Sequence, residues 1–353
     1  MIRYFYGSIS VTILGFTFAY FWAAHSHSSG WAALFAVFFL SILEVTLSFD
    51  NAIVNAQKLK NMSLIWRKRF LTWGILIAVF GTRLLFPILF VSIFANIGLW
   101  DVLMLAIYDV DKYTLALYEI HAPLISFGGA FMMMLCLDFF MKPERHEDSV
   151  WISVIERPFS KLGRFKVFPT LITFMTLLIT YHMVKPEERT EVMISGIAGI
   201  ILFIAINFAI NFAIGRAEKK QAADGVKGAV QTGFLGFMYL EAIDASFSLD
   251  GVLSAFAITK DIIIMAVGLA IGAMFVRSFT VYMVEKNTLQ KFVHLESGAH
   301  WAVGSLAIIM FYSAFAHVSE IAAGGIAFVI IVCAFVSSMK YNKKLERSSK
   351  SSQ

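Results

Sequence analysis

Five carboxylates stand in stretches of the chain that are otherwise apolar. Glu44 and Asp50 lie in SILEVTLSFDNAIV, and Glu241, Asp244 and Asp250 lie in YLEAIDASFSLDGVLSAF. Ser48, Asn51 and Ser248 add hydroxyl and amide oxygens, and neither stretch contains a His or a Cys. An oxygen-only set with several carboxylates suits magnesium, calcium or manganese rather than zinc or copper. Carboxylates in apolar surroundings also act as proton relays, so a monovalent ion or a proton stays open. Arg83 and Arg277 occupy neighbouring apolar stretches. Five acids against two guanidinium groups leave about −3 if all ionise, and a bound cation or protonation must offset that charge. An arginine offers no acceptor to a cation, so Arg83 and Arg277 are expected to balance charge or gate rather than to ligate.

Spacing constrains the elements that carry these groups. Glu44, Ser48 and Asn51 share one face of a regular helix, as do Glu241, Asp244 and Ser248. Asp50 falls about 240° round from Glu44, and Asp250 bears the same relation to Asp244. A straight helix cannot aim both members of either pair at one point. A break is therefore expected at SFDN and again at SLDG, where Gly251 permits it.

The carrier is a membrane. Of 353 residues, 59% are hydrophobic and 15% charged, and mean hydropathy is +0.75. A soluble fold of this length cannot hide that much apolar surface. A soluble enzyme and a nucleic-acid-binding domain are excluded, and no nucleophile triad, phosphate loop or zinc-protease motif argues for catalysis. Apolar runs fall at about 8–24, 31–57, 70–98, 122–141, 167–184, 192–215, 229–258, 262–284, 299–317 and 321–339, each near the length a bilayer demands. The expected fold is all-α and polytopic, with about ten transmembrane helices. Met132, Met133, Met134 and Cys136 could suggest a soft-metal site, but packing is the plainer reading. Cys136 and Cys333 both sit in apolar runs and give no disulfide framework.

If both termini are cytoplasmic, 23 of the 29 basic residues fall on the cytoplasmic side and four outside, as the positive-inside rule requires. The two signatures are offset by 200 residues, with Glu44, Ser48 and Asp50 matching Asp244, Ser248 and Asp250. Gly74, Ile77 and Arg83 repeat as Gly268, Ile271 and Arg277 with the same internal spacing. Five spans separate the copies, and an odd number inverts the second. The expected organisation is a first membrane half at 1–190, an inverted second half at 191–340 and a basic cytoplasmic tail at 341–353, an architecture common among secondary transporters.

EVTLSFDNAIV and EAIDASFSLDGVLSAF resemble the paired signatures of the TerC family of integral membrane proteins, within the LysE-type exporter superfamily. That resemblance implies a role in manganese export or tellurite resistance at a bacterial inner membrane. It implies Glu44, Asp50, Asn51, Glu241, Asp244 and Asp250 as ion-site residues. The chain departs from the compact family form in its first helix, its 142–166 loop and its ten-span length. The leading expectation is a secondary exporter of a divalent cation, manganese first and calcium or magnesium next, with no prosthetic group. Its partners are then the bilayer and the ion, with no nucleic acid. A homo-oligomer or a membrane partner protein stays open. The other readings are an exporter of small organic solutes such as amino acids, and a non-transporting accessory protein of metal or tellurite stress.

Overall fold

The computed structural model describes residues 2–25, 29–60, 62–77, 81, 85–142, 150–165, 167–223, 233–259, 261–286, 288, 292–316, 318 and 320–351. Every regular element among them is helical. The chain opens with α1 (Tyr6–His25), α2 (Gly30–Leu47), α3 (Phe49–Lys60) and α4 (Leu64–Leu76). Three short helices follow, α5 (Phe86–Phe94), α6 (Leu99–Tyr108) and α7 (Val110–Glu119), and then α8 (His121–Phe140), α9 (Ser153–Leu162) and α10 (Phe168–Met183). The remainder comprises α11 (Arg189–Ala223), α12 (Phe234–Ile258), α13 (Ile262–Glu285), α14 (Leu295–Ser313) and α15 (Glu320–Ser351).

Among the described residues, α1, α8, α11, α13 and α15 are long and apolar enough to cross a bilayer. The bent pair α2 and α3 makes a sixth span if taken together. α12 has 25 residues, about 37 Å of helix, but carries three of the five in-span acids. In the apolar run at 70–98, α4 ends at Leu76 and α5 starts at Phe86 with Pro87 in its first turn, and Ile77, Gly81 and Leu85, the described residues between them, are helical too. The acidic stretch between α5 and α8 is folded as well. Asp109 closes α6 and caps α7, its carboxylate accepting from the Lys112 N–H at 3.2 Å. α14 and α15 are two separate helices packed on each other.

One expectation is corrected. α12 runs through SLDG without a break. A continuous helix keeps its backbone groups paired among apolar neighbours, and one internal glycine costs only about 1 kcal/mol against that gain. The break expected at SFDN is present, and it is the 57° bend between α2 and α3.

The centre of the bundle is α8, in which every residue except His121 and Asp138 is buried. A helix apolar on all sides belongs in the interior. It packs against α10, α11, α12 and α14, and Met132, Met133, Met134 and Cys136 lie in its core contacts. α1 is peripheral. Ser8 ties it to α13 through the Met274 carbonyl (2.9 Å) and the Ser278 hydroxyl (2.7 Å). Its other face exposes Phe18, Phe21 and Trp22, as a lipid-facing surface does.

Candidate functional site

The bend places the first signature. Ser48 leaves helical geometry at φ −104° and ψ 12°, yet its N–H still reaches the Glu44 carbonyl, and Ala52 N–H reaches the Ser48 carbonyl at 3.1 Å. The chain turns without losing those two backbone bonds. The Ser48 hydroxyl donates to Glu44 Oε1 at 2.7 Å, and both residues are buried. Gly268 and Gly272 form a small-residue face on α13 against which α2 lies. A Cβ at Gly272 would overlap Glu44 Cβ and Cγ, so this glycine sets how closely the two helices approach. Ser41 adds a bond from its hydroxyl to the Gly268 carbonyl at 3.1 Å.

The second signature meets the first through Asn51. From the first turn of α3, Asn51 donates its Nδ2–H to Asp244 Oδ1 at 2.7 Å. Glu241 and Asp244, one turn apart on α12, both face Arg277 of α13. Arg277 Nη2 lies 3.6 Å from Glu241 Oε1 and 3.9 Å from Asp244 Oδ2, distances of ion pairing rather than hydrogen bonding. The guanidinium donates instead to two backbone carbonyls of α4, Phe70 and Gly74, each at 2.6 Å. It also lies over the Phe70 ring, 4.2 Å from the centroid. Gly74 supplies the room, since a Cβ there would meet the guanidinium and Glu241 Oε1. A cation near the end of a helix also complements its dipole.

Glu44, Ser48, Asn51, Glu241, Asp244 and Arg277 are each no more than 5% exposed. Their formal charges are three carboxylates to one guanidinium. Isolated ionised groups cannot be buried at tolerable cost, so this set demands pairing, protonation or a cation. The structure thus brings Glu44 together with Ser48, and Asn51 together with Glu241, Asp244 and Arg277. Arg83 and the side chains of Asp50, Ser248 and Asp250 lie outside the described residues. Among the described residues, no three His, Cys, Asp or Glu side chains are grouped so as to hold a metal ion.

Sequence reasoning missed the Phe70 and Gly74 carbonyls, because a main-chain acceptor leaves no mark in residue type. The GLAIG spacing of Gly268 and Gly272 was a legible signal for the close α2–α13 contact. A second polar group surrounds Lys58, whose ammonium lies over the Tyr239 ring at 4.7 Å with Asp138, Lys142 and Glu296 near enough to act on it. There Gln57 donates to Glu296, and Lys142 pairs with Asp138 at 3.2 Å.

A family model described as "Protein of unknown function (DUF475)" matches residues 49–345. The chain belongs to the DUF475 family. The match to DUF475 takes in Asn51, Glu241, Asp244 and Arg277 and begins after Glu44 and Ser48. The chain is also 27% identical over 221 residues to the uncharacterized membrane protein YceF of Bacillus subtilis (strain 168), covering 53% of this chain and 83% of that protein. No solved structure matches it. With its several long apolar helices, this member of DUF475 is an integral membrane protein.

Proposed function

We propose that this protein is a secondary transporter that exports a divalent cation, manganese first, from the cytoplasm through a site built on Glu44, Asp50, Asn51, Glu241, Asp244 and Asp250. The observation that carries the reading is the excess of buried carboxylates where α2, α3, α12 and α13 meet, bridged from Asn51 to Asp244. All donors there are oxygens, which favours a hard cation. The likeness of both signatures to TerC proteins points the same way. The distribution of basic residues supports cytoplasmic termini, and the resemblance to TerC proteins supports a bacterial inner membrane.

Ten spans in two inverted halves are part of this proposal, and the packing supports them. Among the described residues, each signature helix packs on the helix that follows the other signature. α2 lies along α13, and α12 meets α4. Ser41 bonds Gly268, while its repeat equivalent Glu241 lies against Gly74, the equivalent of Gly268. α3 packs on α14 as α12 packs on α8, and α8 packs on α14. Such reciprocity is what a pseudo-two-fold axis in the membrane plane produces. Binding of a zwitterionic solute is disfavoured at Arg277, whose donors already serve two carbonyls beside two carboxylates.

Everted membrane vesicles containing the protein should take up Mn²⁺ when a proton gradient is imposed. Asp50→Asn and Asp250→Asn remove a charge with little change of volume, and both should abolish uptake while the protein still reaches the membrane. Wild-type vesicles that move no Mn²⁺, or Asn variants that move it at the wild-type rate, would overturn the reading.

A further inference from the structure

We infer that α9 is an in-plane helix at the membrane surface whose basic edge binds the head groups of anionic phospholipids. The helix is held to one end of the bundle at two points. Glu156, buried, accepts from the Trp151 and Ile152 N–H groups at its own helix start and from Trp301 Nε1 of α14 at 2.9 Å. At the other end, Gly163 lies directly on the Met141 carbonyl at the close of α8, where a Cβ would not fit. Trp301 in turn packs on Phe140, with ring centroids 4.8 Å apart. α9 is therefore held beside the last turn of α8.

Its circumference divides into three arcs. Counting 100° per residue from Val154, the buried or half-buried Phe159, Glu156 and Ser160 occupy about 140–240°. Exposed apolar residues Val154, Leu162 and Ile155 occupy about 0–100°, and exposed Arg157 and Lys161 about 300–340°. Val154 is 83% exposed, and the next turn adds exposed Arg164 and Phe165. A soluble surface has no use for such an apolar arc. Beside a basic arc, and on a protein that crosses the bilayer, it matches a helix sunk into the boundary between acyl chains and head groups. The basic arc then lies at the level of the phosphates, and charge complementarity selects anionic lipid.

Depth and lipid preference test the two parts of the inference. With Cys136 and Cys333 replaced by Ser, nitroxide labels at Val154→Cys and Leu162→Cys in reconstituted vesicles should be open to oxygen and closed to a water-soluble nickel chelate. A label at Glu187→Cys, on an exposed turn, gives the aqueous reference. Labels as open to nickel as that reference would overturn the placement, and so would labels closed to both probes, which would mean a covering protein surface. The purified full chain should retain phosphatidylglycerol over phosphatidylcholine. The combined Arg157→Gln, Lys161→Gln and Arg164→Gln change should weaken that retention on the order of 10- to 100-fold. Its thermal unfolding should be unchanged, because all three side chains are exposed. Equal retention of both lipids by the wild type, or unchanged retention by the triple variant, would overturn the lipid assignment.

Discussion

The first signature sits on a helix that bends by 57° at Ser48, whereas the second runs along the unbroken α12. The two regions also handle their buried acids differently. Glu44 has a neutral donor, the Ser48 hydroxyl, and its stem lies against a glycine of α13. Glu241 and Asp244 face a full positive charge, which is itself anchored to α4. Related residue patterns thus yield an acid on a bent element, held by a hydroxyl, and a pair of acids on a straight element, held by a guanidinium. The hydroxyl gives its carboxylate a neutral hydrogen bond, and the guanidinium offsets much of the charge of the pair it faces. The anchored guanidinium makes the second signature the more rigid of the two. Asn51 links them, so neither can move far without the other.

The largest expected effect tests the rigid side. Arg277→Ala takes the guanidinium of Arg277 away from buried Glu241 and Asp244 and frees the Phe70 and Gly74 carbonyls. Removing one partner of a buried ion pair costs about 3–5 kcal/mol. Thermal unfolding of the purified variant should show that loss. Arg277→Lys should recover only part of it, because an ammonium keeps the charge but cannot fork to two carbonyls. Full stability of the Lys variant would show that charge alone holds this region, and the contrast with Glu44 would lose its geometric half.

Two glycines give an intermediate effect. Gly272→Ala drives a methyl into Glu44 Cβ and close to the Ser41 carbonyl, atoms fixed by the backbone. Overpacking of that kind costs about 1–3 kcal/mol. Gly74→Ala meets only the Arg277 guanidinium and Glu241 Oε1, the far ends of long side chains that can shift. Denaturant unfolding should therefore rank Gly272→Ala as the more destabilised. The reverse order would mean that the Arg277 cluster is the tighter of the two contacts.

Much of this arrangement was legible in the residues. Buried acids at Glu44, Glu241 and Asp244 stood out because charge in an apolar run is costly, and the bend at Ser48 followed from the angle between Glu44 and Asp50. The same angular argument failed at SLDG. It weighed where side chains point and not the backbone pairing that an apolar environment rewards, so α12 stays whole despite Gly251. The helices α6 and α7 were missed because acidic residues between apolar runs read as a loop, although Asp109 before Lys112 is a cap. Nothing in residue type could mark the Phe70 and Gly74 carbonyls, since their role arises only when α4 is packed against α13.

The smallest effect isolates the hydroxyl. Ser48→Ala removes the 2.7 Å bond to Glu44 Oε1 and changes little else in volume. A typical hydrogen bond contributes about 0.5–1.5 kcal/mol net, and Glu44 keeps other interactions in the variant, so the loss should be about 1 kcal/mol. The bend itself should survive, because the Ser48 N–H to Glu44 bond and the Ala52 N–H to Ser48 bond run through the backbone and not through the hydroxyl. Paired spin labels on α2 and α3 should accordingly report the wild-type separation. Thermal unfolding should fall in the apo protein, and added Mn²⁺ should restore part of the difference if Glu44 ligates the ion, since a ligand that binds only the folded state stabilises it by mass action. A straightened α2–α3 pair in this variant would show that the side chain, not the backbone, makes the bend. The contrast between the two signatures would then rest on a single hydroxyl group.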